Sequence, residues 1–180
     1  GGDIQGSARV REGSILRIGT TGTGTEELLN LAGNGLVLGN MIVSNTLAPG
    51  MDAAGTLSIT GSAAFVATSL FDFELDLSDQ TVGGGVNDLL VLSGSLTLDG
   101  TLNVTNYTAG TPSAGDYWTL LTYDPLSSLT DNGLELGTLP DITGIGIWAL
   151  NLATEGEVRL EILVPEPHIW TGLLAALGLI

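Results

Sequence analysis

A short strand closed by glycine recurs along this chain and limits its fold more than any other feature. The clearest copy is Gly55-Thr56-Leu57-Ser58-Ile59-Thr60-Gly61. Gly94–Gly100 (GSLTLDG) repeats it, Gly100–Thr105 (GTLNVT) repeats it again, and looser copies lie at Gly13–Gly19 and Gly35–Gly39. Apolar residues alternate with Thr, Ser or Asn, the period-2 pattern of a strand buried on one face. Glycine supplies the bend between strands. Helical periodicity is nearly absent before the last residues.

The units start near positions 13, 35, 55 and 94, in steps of 22, 20 and 39 residues, the last about two periods. A step of about 20 residues is what one coil of a β-solenoid takes, and stacked coils share a core that no single coil can bury. The reading is an all-β chain with parallel β-helix-like solenoid coils over residues 1–106. The alternative is an antiparallel β-sandwich or jelly roll, because Asp99-Gly100 inside Leu96–Val104 suits a tight hairpin. Residues 107–163 repeat less. Strands are expected at Asp116–Tyr123, Gly146–Leu152 and Glu157–Leu163. The last two are spaced as an antiparallel hairpin, and the region reads as a cap that covers the solenoid's exposed edge.

Composition removes several classes of function. The chain of 180 residues, 43% hydrophobic, is long enough for one domain with a sizeable core. It has no Cys, which excludes disulfides and thiolate metal sites. Four Arg and no Lys stand against 20 Asp and Glu, for a net charge of −16. Nucleic acid is excluded as a partner, since phosphate binding needs clustered cations. Cations and cationic polymers are favoured. Gly1–Gln5 has neither the basic nor the apolar region of a secretion signal, so Gly1 is read as an internal residue of a longer exported protein.

The end of the chain carries the motif Val164-Pro165-Glu166-Pro167, followed by the apolar run Ile169–Ile180. This resembles the PEP-CTERM sorting signal of Gram-negative bacteria, in which such a motif precedes a transmembrane helix and a basic tail. The apolar run has 12 residues where a spanning helix needs roughly 20, so the reading is a truncated transmembrane helix that continues past Ile180. The resemblance implies an exosortase-type sorting enzyme as partner and transient anchoring in the inner membrane. Release to the cell surface or extracellular matrix would follow. Both prolines remove backbone donors and keep the motif extended.

A second resemblance spans residues 47–167. Leu47-Ala48-Pro49-Gly50, the segment Asn87–Gly94, GTLNV at Gly100–Val104 and Ala114–Leu121 are similar to proteins with autotransporter-associated β-strand repeats. That resemblance implies a structural or adhesin-like scaffold at the cell surface rather than a catalytic site. Extracellular polysaccharide is the implied partner.

Candidate chemistry is sparse, and the chain reads as no enzyme. Asp72, Glu74 and Asp76 alternate with Phe71, Phe73, Leu75 and Leu77, which puts the carboxylates on one strand face about 7 Å apart. The bland reading is the wet face of a half-buried strand. The functional one is a weak Ca²⁺ or polycation site to which Asp79 and Asp88 contribute. No other cofactor or metal is implied. Paired carboxylates also admit a polysaccharide-active enzyme, but twenty acids make chance pairs easy. Trp118 and Trp148 read as core or cap packing, with sugar stacking as the alternative. His168 is the single histidine and makes neither a triad nor a zinc site.

Overall fold

The computed structural model describes residues 6–19, 24–50 and 53–164, and they contain strands and no α-helix. In chain order the first six strands are β1 (Ser7–Val10), β2 (Ile15–Arg17), β3 (Thr25–Gly33), β4 (Leu36–Leu38), β5 (Asn40–Pro49) and β6 (Thr56–Thr60). Then come β7 (Ala63–Phe65), β8 (Leu70–Leu75), β9 (Leu89–Leu92) and β10 (Leu96–Asn106). The last four are β11 (Tyr117–Thr122), β12 (Leu129–Leu136), β13 (Ile147–Asn151) and β14 (Glu157–Leu163).

Up to β12 the chain passes back and forth between two seven-stranded sheets. The first sheet runs β1-β3-β5, then β7 and β8 end to end between β5 and β10, then β10 and β12. The second runs β2-β4-β6-β9-β11-β14-β13. Every pairing up to β12 is parallel. Hairpins cannot make such a pattern, because two parallel strands need a crossover between them.

The glycine-bounded units at Gly13–Gly19, Gly35–Gly39 and Gly55–Gly61 are strands β2, β4 and β6 of the second sheet. Ile15, Leu36 and Ser58 stack in register, so successive strands of this column are 21 and 22 residues apart, close to the spacing of about 20 read from the glycine-bounded units. The next step is longer, since Leu57 pairs with Leu90. The unit at Gly94 is not the next member of that column. It is β10, in the other sheet.

The hairpin alternative at Asp99-Gly100 is corrected here. Residues 96–106 form one continuous strand, with a register shift against β12 between Leu98 and Gly100. The shift belongs to a column of bends. β3 and β5 slip between Leu28 and Asn30, and Val66–Ser69 turns between β7 and β8. Gly100 sits in this column at φ 103°, where a Cβ would lie 2.2 Å from the Ser69 carbonyl oxygen. Ser69 is fully buried, and its Oγ donates to Val43 O (2.7 Å) and accepts from Val66 N–H (2.8 Å).

One core runs from Val10 to Ile162. Alternate residues of β10 are buried along its length, Leu96, Leu98, Leu102 and Val104 among them. Phe65 and Phe71 meet across the bend with ring centroids 4.4 Å apart. The parallel pattern does not stop at residue 106. β11 and β12 continue it, although both lie in the stretch the sequence assigned to the cap. The antiparallel pairings between named strands are those of β14, with β11 on one side and β13 on the other, and Ile147 stands opposite Leu163 as the spacing predicted. β13 is laid one strand beyond β14, which returns between it and β11. The linking segment folds over the end of the core, with Ile142 buried and Leu139 and Ile145 packed against it.

No helix among the described residues is long and apolar enough to cross a membrane. Val164 is the last described residue. Pro165, Glu166, Pro167, His168 and the expected apolar helix lie outside the described residues.

Candidate functional site

The outward face of the first sheet carries a depression. Its register places Arg9 beside Ala32 and Ala32 beside Ala48. Leu47 pairs with Phe71, so Ala48 adjoins Asp72, which pairs with Asn103. These five residues form a row across the strands. Two alanines in the middle leave a trough between taller neighbours. Glu74 and Thr105 stand in the adjoining row, and the cleft encloses about 340 Å³.

The acidic stretch behaves as its alternation predicted up to Leu75. Phe71, Phe73, Leu75 and Leu77 are buried, while Asp72 is exposed and Glu74 half-buried. Asn103 Nδ2 donates to Asp72 Oδ1 at 3.0 Å.

Asp76 and Asp79 go elsewhere. Both follow the end of β8 and shape the turn that leaves it. Asp76 Oδ1 accepts from Ser78 Oγ (2.7 Å), Ser78 N–H (2.9 Å) and Thr108 Oγ1 (2.9 Å). These bonds, those from Ser78 foremost, hold its carboxyl below the usual range. Asp79 is held low in the same way by Thr81.

Asp88 is buried beneath the cleft. Its two oxygens accept main-chain N–H bonds of 2.7 Å, Oδ1 from Gly55 and Oδ2 from Glu74. Burial pushes its carboxyl up to about 7, against the two hydrogen bonds that favour ionisation. With both oxygens committed to backbone donors, Asp88 is a clamp rather than an acid or base open to a substrate. Asn87, also buried, accepts from Asp76 N–H and donates to the carbonyls of Asp79 and Thr81.

Among the described residues no three His, Cys, Asp or Glu side chains come together as they would around an ion. The two tryptophans, read from the sequence as packing or sugar stacking, lie against each other. Trp118 is 1% exposed, and its ring meets Trp148 edge to face at 5.7 Å, 60° between planes. Trp118 Nε1 donates to the carbonyls of Asp76 and Asp79, and Trp148 Nε1 to Pro140 O. The edge-to-face pair does not present two coplanar faces. The exposed Tyr117 is covered on one face by Arg159, 4.5 Å from its centroid, which also pairs with Glu157 at 2.6 Å.

Sequence reasoning found Asp72, Glu74 and Asp88 but missed Arg9, Ala32, Ala48, Asn103, Thr105 and Asn87. Their alternation marked strands, but which strands adjoin is fixed only by long-range register.

No family model matches the chain. Over 134 residues, 74% of its length, it is 40% identical to a protein named adhesin BmaC autotransporter from Brucella suis biovar 1 (strain 1330). The chain spans about 4% of the length of that relative.

Proposed function

We propose that this chain is a stretch of β-solenoid from an exported, adhesin-like structural protein displayed at the cell surface or in the extracellular matrix. The observation that carries the reading is the 40% identity over 134 residues to a segment of an autotransporter adhesin. The alternation of parallel strands between two sheets supports it, since each turn rests only on its neighbours and length can grow by repetition. The role this reading assigns is structural and adhesive.

For sorting, the reading rests on Val164-Pro165-Glu166-Pro167 and the apolar run behind it. An exosortase-type enzyme would take the motif as substrate after the tail has entered the inner membrane, then release or attach the ectodomain. Val164, the first residue of the motif, is exposed and follows directly on the last strand.

The test is the mature C-terminus of the protein in its native host, read by mass spectrometry of cell and medium fractions, with surface exposure read by protease treatment of intact cells. A terminus near Pro165–Pro167 that disappears when the sorting enzyme is deleted supports the sorting reading. A tail retained intact in the membrane overturns it. A chain resistant to external protease until cells are broken overturns surface display.

A further inference from the structure

We propose that the cleft on the first sheet binds a glycan bearing free amino groups, with one ammonium held between Asp72 and Glu74. This deepens the adhesin-like reading by naming a ligand class. It rests on that reading only for where the ligand is met.

The shape comes from the row Arg9, Ala32, Ala48, Asp72. Strands lie about 4.8 Å apart, so the rims at Arg9 and Asp72 stand about 14 Å apart across a floor of two methyl groups. The enclosed volume of about 340 Å³ lies at the lower end of the range for small-ligand sites, roughly 300–1,000 Å³. A sugar unit or two fits such a space.

The chemistry comes from the rim. Asp72 and Glu74 project from one strand face about 7 Å apart, so an ammonium between them reaches both. The one ion pair among the described residues is Arg159–Glu157, so no protein cation pairs with either carboxylate. Asp72 gives one oxygen to Asn103 and keeps the other. The chain has no Lys and a net charge of −16, which draws cationic ligands over longer range. Asn103, Thr105 and Arg9 supply donors and acceptors for hydroxyl and ring oxygens. Peptide recognition in grooves uses a series of pockets for alternate side chains, whereas this cleft is a single depression over Ala32, Ala48, Pro49 and Gly50. That favours a glycan over a basic peptide.

The test is calorimetric titration of the purified 180-residue chain with a glucosamine hexamer, its fully N-acetylated form, a galacturonate hexamer and an oligo-arginine peptide. The glucosamine hexamer should bind at least tenfold more tightly than the other three. Asp72→Asn with Glu74→Gln should weaken it at least tenfold. Ala48→Leu, which fills the trough without changing charge, should do the same, with folding of each variant checked by circular dichroism. Absent binding, equal binding of oligo-arginine, or binding unchanged in Ala48→Leu would each overturn the proposal, the last two by showing mere adsorption to an acidic surface. Failure here leaves surface display standing, because that is read from the protein's fate in cells.

Discussion

Asp88 and Glu74 are joined twice. The Asp88 N–H donates to Glu74 O at 2.9 Å, and the Glu74 N–H donates back to Asp88 Oδ2 at 2.7 Å. The other carboxylate oxygen takes the Gly55 N–H. One buried side chain therefore ties β8 to the turn before β6 and fixes the start of β9.

This clamp should give stability an unusual pH profile. The Asp88 carboxyl is raised to about 7, so between about pH 4 and pH 7 the unfolded chain has released a proton that the folded chain keeps. Stability contributed by this group is therefore highest below pH 4 and falls as pH rises to 7, by at most about 4 kcal/mol. Asp76, Asp79, Asp141 and Glu157 are shifted down, and their contribution is lost as pH falls below the ordinary carboxylate range. Chemical denaturation should find a maximum near pH 4–5. Asp88→Asn should flatten the slope from pH 5 to 7.5 relative to the native chain. An unchanged slope would remove Asp88 from the account.

Gly100→Ala should destabilise more than its exposure implies. The new Cβ would stand 2.2 Å from Ser69 O on a backbone at φ 103°, which costs about 1–3 kcal/mol in strain before any displacement of Ser69. Gly85→Ala is the control. It also has positive φ but meets nothing within 4 Å. Melting temperatures of the two variants should separate clearly, with Gly100→Ala lower.

Trp118 fastens the turn after β8 to the core. Trp118→Ala should cost about 3–5 kcal/mol by leaving a cavity. Trp118→Phe should keep most of the packing and still lose about 1–3 kcal/mol, because the carbonyls of Asp76 and Asp79 lose their shared donor. Hydrogen exchange should show the amides of Ser78 and Thr81 less protected in the Phe variant. Equal protection would mean the indole donor is dispensable.

A chain ended at Leu136 should be prone to association. It would lack β13, β14 and the Leu139–Ile145 segment that packs on the end of the core, leaving β11 as a free parallel edge. Light scattering and binding of a hydrophobic dye should both rise against the full chain. A monodisperse truncated chain would show that these elements are not a cap.

The local pattern was legible where one strand face is buried. GTLSITG gave β6, EVRLEIL gave β14, and the alternation of Phe71–Leu77 separated buried from wet positions correctly. β12 (LTDNGLEL) escaped, since Leu134 is its one buried side chain and the rest carry no period. The hairpin at Asp99-Gly100 failed for a related reason. An Asp-Gly pair permits both a tight turn and a bulge, and what settles it is the neighbouring turn at Ser69, some 30 residues earlier in the chain.

The sequence by itself determined that the chain is all-β, that its surface is acidic, and which residues of most strands face inward. Those properties follow from composition and from a period of two, both local. Only the tertiary structure decided which strands adjoin, and with that everything about the cleft. Arg9 and Asp72 become opposite rims of one trough because three parallel pairings bring them into a row. Asp88 becomes a clamp because Gly55, 33 residues away, turns its N–H toward it. Parallel pairing joins residues a whole turn of chain apart, and register across that distance is set by the lengths of the loops and bends between, which no local pattern encodes.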